Sequence, residues 1–591
     1  MLQECVAVFQ KILEEQGGGE QKILDEYVPA SGTYLLVTRD GTIRFQEEIE
    51  LKKKKEGLIL ERGLHFALFC FMDYHSRLIS MNKPMDSKKV IHSDNYLSFW
   101  IKKDSLVSGK LSPEIIDRYY DTLLDPIGKK YGKSQEAVRI YQEFEEKNGA
   151  VDQEELERCR RWIKEHIFSL DCVDFSKKGY LKIFFEADEE TYIREDQRYL
   201  LPNIYNNNDY NVEINGEILG IPDNNLGMNA KKPFLSIKTR KYPAPYLLNE
   251  KQVIQQKQFF DYLTNQAAIG RLNIYIDTDK NKIYSYTSKE TCKEKIDSGY
   301  FLRLNKGKET EISYQDNLSG YRQEMKYPFY FRNFMDAKYT RHPEYAEWFK
   351  RIDSRMEFKD CINDVVFLNY LNGNLWRKEE EVSALNEEMR CDILFARATI
   401  RNWSMIRSGE DLDRRLKTVL EKVTLRALKR SVLANQPERT SWQLNFLWSC
   451  KEYFRKKEEN GMEESGYELV EKFKKKVLTE ESPHIEKGND EEYYFTVGQF
   501  VGYLISLNKA KNRPQSLVNP FLNATNDKVL KCRIGQIYKK YNYTISHDSK
   551  RAKKLLGMVM SYTPTGAFNM EKFLWGYAES NVMYTKKEET E

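Results

Sequence analysis

Tyr34-Leu-Leu-Val37 and Thr42-Ile-Arg-Phe45 stand on either side of Asp40-Gly41. The flanking runs suit strands, and Asp-Gly accepts the positive φ of a tight turn, so this passage predicts a β-hairpin. A second hairpin is predicted from Asn273-Ile-Tyr-Ile276 and Lys282-Ile-Tyr-Ser-Tyr286 around the turn Asp277 to Asn281. Upstream, Leu2, Val6, Phe9, Ile12 and Leu13 recur at helical spacing until Gly17-Gly-Gly19 breaks the pattern. Residues 130–170 read as helical, and strand character returns from Asp171 to Phe185, as in Tyr180-Leu-Lys-Ile-Phe-Phe185. From Tyr345 onward amphipathic helices take over, as in Leu412, Leu416, Val419, Leu420, Val423 and Ala427. Near the end, Val497, Phe500, Val501, Leu504 and Ile505 form one apolar face, and Leu530, Ile534, Ile537, Tyr538 and Tyr541 another. The expected class is α+β, a mixed α/β N-terminal region followed by an all-helical C-terminal region that ends in a helical bundle. The expected divisions are 1–345, 346–461 and 462–591, with linkers at Lys456 to Ser465 around Gly461 and at Glu480 to Asp490.

A chain of 591 residues is too long for one core, and 40% apolar residues are enough to build several. Its 38 Tyr and 30 Phe exceed what burial alone requires and offer stacking faces for bases. With 94 basic against 90 acidic residues the net charge is only +4, so any polyanion site must be local. Nine scattered cysteines without a Cys-x-x-Cys pair argue for a reducing compartment and against structural zinc. No window of about 18 apolar residues occurs. The start Met1-Leu-Gln-Glu-Cys lacks the basic-then-apolar order of a signal peptide, so a cytoplasmic protein without membrane contact is expected.

The run Leu219-Gly-Ile-Pro-Asp-Asn-Asn-Leu-Gly-Met-Asn-Ala-Lys-Lys-Pro-Phe-Leu235 packs amides, adjacent lysines, glycines and two prolines into one loop. Asn bonds base edges, Lys neutralises phosphate, and Pro222, Gly227 and Pro233 hold turns rather than helix. From Asn224 to Asn249 there is no acid, while Lys231, Lys232, Lys238, Arg240 and Lys241 give a local charge of +5. The triple amide Asn206, Asn207, Asn208, between Tyr205 and Tyr210, is a second candidate reader, and turn formation explains it equally well. A second basic stretch runs from Lys509 to Lys554, with Lys509, Lys511, Arg513, Lys528, Lys531, Arg533, Lys539, Lys540, Lys550, Arg551, Lys553 and Lys554. Against these twelve stand Asp527 and Asp548, a local charge of +10. Such surfaces bind phosphate with steep salt dependence, or merely solvate a bundle. Lys52-Lys-Lys-Lys55 reads as a solvated loop.

Three blocks in order, Lys83-Pro84 through Asn95-Tyr96-Leu97, the Leu219–Leu235 loop, and Gly498-Gln499 through Tyr541, give the chain a resemblance. It resembles the large subunit of the type I-B CRISPR Cascade surveillance complex. The resemblance implies a non-catalytic subunit of an antiviral complex that recognises the PAM beside a double-stranded DNA target and promotes duplex opening and R-loop formation. It implies guide RNA, Cascade backbone subunits and a recruited helicase-nuclease as partners. Asn224, Asn225, Asn229, Lys231 and Lys232 match the family's loop by position, so base contacts there are what the resemblance implies. By analogy, Lys83, Lys88, Lys89 and Asn95 would contact the guide RNA's 5′ handle or a neighbouring backbone subunit. The +10 stretch would line the displaced strand. An amide more often stands in the family where this chain has Asp94, and an acid there would repel phosphate. Some relatives carry a cysteine-rich zinc insertion that this chain lacks.

In such families a separate small subunit is translated from the 3′ end of the same gene, and Met462 is a candidate start. Lys457-Glu458-Glu459 can be encoded as AAG GAG GAA, which contains a ribosome-binding sequence, and Asn460-Gly461 supply the spacing. Coincidence in a Lys-Glu-rich linker is the alternative.

Enzyme readings find little footing. The seven histidines include neither HExxH nor His-x-His, and His547-Asp548 has no evident partners for a metal-dependent phosphohydrolase. Asp277-Thr-Asp279 alternates carboxylates but falls on the predicted turn. No phosphate-binding glycine loop and no nucleophile elbow occurs. No catalysis, metal or cofactor is expected. The rival readings are a nuclease whose site is too dispersed to see, or a helical scaffold with incidental basic surfaces.

Overall fold

The computed structural model describes residues 1–54, 57–207, 211–224, 226, 246–307, 309–458, 466–508, 517–524, 526–546 and 549–585. The chain divides into two compact units, Met1–Cys292 with Ile296–Leu318, and Lys293–Lys295 with Ser319–Glu591. Helix accounts for 51% and strand for 17%, the proportions of an α+β protein. Among the described residues no helix is long and apolar enough to cross a membrane.

In the first unit β1 (Gly32–Val37) and β2 (Ile43–Ile49) form the hairpin expected around Asp40-Gly41. A short hairpin follows, β3 (Leu51–Lys54) with β4 (Gly57–Leu60). Lys52 to Lys54 are therefore in a strand and not in the loop expected from their charge, and Lys55 lies outside the described residues. Lys52 sits opposite Ile59 and its ammonium reaches Glu61 at 2.8 Å, so neighbouring carboxylates neutralise what the ladder would otherwise repel. With β5 (Ser98–Lys102) and β6 (Tyr180–Phe185) the main sheet runs β2-β1-β6-β5, with β1 parallel to β6 and the other pairs antiparallel. All six residues of β1 and five of six in β6 are buried, the continuous pattern of strands covered on both faces. Helix Leu2–Glu15 packs on Glu250–Ala268 through Phe9, whose ring lies 5.6 Å from Phe259 and 5.1 Å from Tyr262.

A small hairpin, β7 (Val212–Ile214) with β8 (Glu217–Leu219), precedes a second sheet ordered β10-β9-β11-β12 from β9 (Arg271–Asp277), β10 (Lys282–Thr287), β11 (Ile296–Lys306) and β12 (Thr310–Tyr321). At the β9–β10 turn the Asp277 carboxylate accepts the N–H groups of Asp279 and Lys280 at 3.0 and 2.9 Å, and Asn281 takes φ 50°. The turn uses one oxygen of that carboxylate, and the other faces the Lys280 ammonium at 3.6 Å.

The second unit opens with the antiparallel pair β13 (Glu324–Tyr330) and β14 (Arg351–Ser354). β14 is a strand inside the stretch expected to be wholly helical, held because β13 offers it a partner edge. Helices then dominate. In Glu410–Leu433 the predicted face is buried at Leu416, Val419, Leu420, Val423 and Ala427. Helix Pro437–Glu458 runs through Lys456 to Glu458, which were expected in a linker, while Gly461 and Met462 lie outside the described residues. The connector after helix Gly466–Thr479 reaches Asp490 as expected. Val497, Phe500, Val501, Leu504 and Ile505 are buried in helix Asp490–Ser506, and Leu530, Ile534, Ile537 and Tyr541 in Asp527–Tyr541.

Candidate nucleic-acid interface

The base of the Leu219–Leu235 loop is a two-stranded stem. Tyr205 bridges Pro222, the Asn206 N–H donates to the Ile221 carbonyl at 2.8 Å, and the Asp223 N–H donates to Ile204 at 2.8 Å. Gly220 and Leu248 exchange two 2.9 Å bonds that close the far side. Between the stem strands the β7–β8 hairpin turns through Asn215 (φ 53°) and Gly216 (φ 81°), the left-handed pair that a type I′ turn requires.

The stem is fastened to the Lys83-Pro84 block, so two of the three sequence blocks meet in space. Lys83 Nζ donates to the carbonyls of Asn203, at 2.8 Å, and Tyr205, and faces the Asp223 carboxylate at 3.6 Å. From the other side Tyr199 donates its hydroxyl to the Lys83 carbonyl at 2.8 Å. Lys130 Nζ donates to the carbonyls of Pro84 and Lys83 at 2.5 and 3.1 Å. Burial lowers the Lys83 pKa and raises that of Asp223, and each charge partly offsets the other's shift.

This geometry revises several expected contacts. Lys83 spends its ammonium on the stem and is a structural latch rather than an RNA contact. Asn95 is 2% exposed, gives its amide to the His75 carbonyl at 2.8 Å and accepts the Leu97 N–H at 2.9 Å, so it offers no surface to a partner. Asp94 is also interior, 1% exposed and so turned away from any phosphate, and burial with the adjacent Asp196 pushes its pKa well above the usual carboxylate range. Lys88 and Lys89 are exposed on a turn that the buried Asp86 carboxylate organises by accepting the N–H groups of Lys88, Val90 and Ile91. Asn206, Asn207 and Asn224 are half-buried at the stem. Asn224 accepts the Leu226 N–H on its side chain at 3.3 Å and the Gln256 amide on its carbonyl at 3.2 Å. Asn208, Asn225, Asn229, Lys231 and Lys232 lie outside the described residues, as do Lys238, Arg240 and Lys241.

Lys130 adds a pH dependence. Burial, reinforced by the neighbouring Lys83 ammonium, pulls its pKa down to about 7. Between that value and the ordinary lysine range the unfolded chain holds a proton that the folded chain does not, so stability should rise with pH from about 7 toward 10. Lys130→Met should remove this component. Urea midpoints at pH 7 and 9 are expected to converge for the variant relative to the parent, whereas parallel pH curves would contradict the assignment.

In the second unit the +10 stretch splits into two kinds of cation. Lys531 donates to the Tyr562 carbonyl and pairs with Asp527 at 2.9 Å. Arg533 donates to the Pro520 carbonyl, Arg551 to those of Val582, Met583 and Thr585, and Lys554 to that of Val477 at 3.0 Å. These four tie the bundle together. Lys528, Lys539, Lys540, Lys550 and Lys553 are exposed, and Lys509, Lys511 and Arg513 lie outside the described residues.

Sequence reasoning missed a cavity of about 820 Å³ in the first unit, walled by four helical segments that include Glu20, Phe71, His75, Asp196, Ile254 and Lys257. His75 stands between two carboxylates, Nδ1 at 3.2 Å from Asp196 and Nε2 at 3.4 Å from Glu20. Behind this wall Lys257 and Arg77 both pair with the buried Asp261, whose carboxyl these cations hold below the usual range against the opposing effect of burial. The one signal in the sequence is His75, a titratable residue directly after the apolar run Phe66–Tyr74. Among the described residues no group of His, Cys, Asp and Glu is placed to hold a metal ion. No known family, curated protein or solved structure matches this chain.

Proposed function

We propose that this chain is the non-catalytic large subunit of a cytoplasmic, RNA-guided antiviral DNA surveillance complex. It would recognise the PAM, promote duplex opening and R-loop formation, and help recruit a helicase-nuclease. Guide RNA and the complex's backbone subunits would be its partners, with a small subunit started at Met462 alongside. The observation that carries the reading is the Lys83 latch. The amide- and lysine-rich loop springs from a stem locked to the Lys83-Pro84 block, and it opens the acid-free stretch Asn224–Asn249 with its local charge of +5. A reader of base edges needs such a rigid base, because direct readout rests on two or three well-aimed bonds, each contributing about 1–3 kcal/mol of discrimination.

The division of labour follows from residue chemistry. Guide pairing supplies sequence choice, Asn224, Asn225 and Asn229 read the short flanking motif, and Lys231 and Lys232 hold register through phosphate. Lys88 and Lys89 are left for the guide or a backbone subunit, and the five exposed lysines of the terminal bundle for the displaced strand. The test is discrimination among flanking sequences by the assembled complex, with the loop amides replaced one at a time.

A further inference from the structure

A second surface on the second unit combines cations with an exposed ring. Helices Glu387–Met405 and Glu410–Leu433 are neighbours joined by a four-residue turn. Phe395, on the first, is 45% exposed. Lys422 Nζ and the Arg426 guanidinium, on the second, lie 5.9 and 5.8 Å from its ring centroid. Asp392, buried one turn before Phe395, accepts from Arg426 at 2.7 Å and from Arg430. A buried carboxylate thus aims two guanidinium groups, one of which remains 55% exposed.

Spacing extends the feature. Thr418, Lys422 and Arg426 follow one another at four-residue intervals, so they share a face, and Arg415 is exposed one turn before Thr418. From Arg415 to Arg426 the helix rises about 16 Å. On the facing helix Cys391, Phe395 and Ala398 are exposed at intervals of four and three, a low ridge from which only the phenyl ring stands out.

We propose that this face binds single-stranded nucleic acid, with Arg415, Lys422 and Arg426 on phosphates and Phe395 stacking against an unpaired base. Cations beside an exposed aromatic ring are the parts of a sequence-tolerant strand track. An acidic peptide would engage the cations and leave the ring in water, and a duplex keeps its base faces closed to the ring. Asp392 is a positioning residue that acts through Arg426. The inference rests on reading the chain as a nucleic-acid binder, but not on the motif-reading loop, from which it is separate in sequence and in unit.

The test is fluorescence anisotropy of labelled oligo-dT and oligo-rU on the full chain across a salt series. Lys422→Gln with Arg426→Gln should lower the slope of log K against log salt by about 1.4, the share of two phosphate contacts on a single strand. Phe395→Ala and the bulkier Phe395→Leu should each weaken strand binding roughly tenfold and leave duplex binding almost unchanged. A 5-iodouracil strand should crosslink to the peptide containing Phe395, a signal that a purely structural ring would not give. The tighter of the two homopolymers identifies DNA or RNA as the natural strand. The proposal is overturned if the parent binds neither strand, if slope and affinity are unchanged in correctly folded variants, or if polyglutamate displaces the oligonucleotide as well as another strand does. Loss of flanking-motif discrimination in the assembled complex reports on the loop alone, so either inference can fail while the other stands.

Discussion

Asp73→Ala is expected to destabilise the first unit by about 3–5 kcal/mol, because it strands a buried ammonium. Lys182 sits in β6, at the centre of the main sheet, 2% exposed, with its ammonium 3.6 Å from the centroid of Trp100 on β5 and paired with Asp73. Asp73 is 1% exposed and also accepts the Tyr27 hydroxyl at 2.7 Å. Burial lowers the Lys182 pKa while the Asp73 carboxylate opposes that shift, so removing the carboxylate leaves desolvation uncompensated. Asp73→Leu with Lys182→Met should recover most of the loss, since similar-sized apolar groups remove the need for pairing. Amide exchange of β1, β5 and β6 in the full chain separates this unit from the other. A single-variant cost below about 1 kcal/mol would contradict the assignment.

Gly498→Ala carries the largest expected effect in the second unit. Helix Asp490–Ser506 crosses helix Met570–Ala578 so closely that a Cβ on Gly498 would lie 2.2 Å from the Phe573 carbonyl oxygen, and one on Gly576 2.0 Å from that of Phe495. These neighbours are backbone and cannot swing aside. Gln499 locks the crossing by donating to the Gly576 carbonyl at 2.6 Å and accepting the Val582 N–H at 2.9 Å. Forcing the helices apart should cost about 1–3 kcal/mol or more, with a changed near-ultraviolet signal from Trp448 and Trp575, whose rings meet edge to face at 4.5 Å. Gly502→Ala, one turn on, meets nothing nearer than 3.6 Å and should be neutral or mildly stabilising, as alanine is in a helix. Equal costs at the two positions would contradict the close-crossing account.

Local chemistry made much of the fold legible. Asp40-Gly41 marks one hairpin, the Asp277–Asn281 turn another, and helical periodicity marks Glu410–Leu433 without reference to any tertiary contact. The Lys52 strand was hidden because its stabilisation comes from pairing with β4 and from Glu61, neither of which a charge run reveals. β14 was hidden for the same reason, being four residues long and dependent on β13. At the candidate interface, the joining of Lys83 to the stem needed three dimensions, since Asn203 and Asp223 lie more than a hundred positions away. The resemblance implied that Lys83 and Asn95 face a partner, whereas burial assigns their polar groups to the protein's own carbonyls and N–H groups. Phe395 carries no signal in the sequence, because its exposure and the cations beside it arise from the packing of two helices.

We propose that the Leu219–Leu235 loop reads a short flanking motif. The most direct measurement is target binding by the assembled, guide-loaded complex across a library of randomised flanking sequences, for the parent and for Asn224→Ala, Asn225→Ala, Asn229→Ala and the pair Lys231→Gln with Lys232→Gln. At least one amide variant is expected to flatten discrimination at a defined flanking position while guide loading persists. The lysine pair should weaken all sequences alike and reduce the salt slope by about 1.8. Unchanged discrimination in all three amide variants would contradict the loop as reader and move attention to Asn206, Asn207 and Asn208.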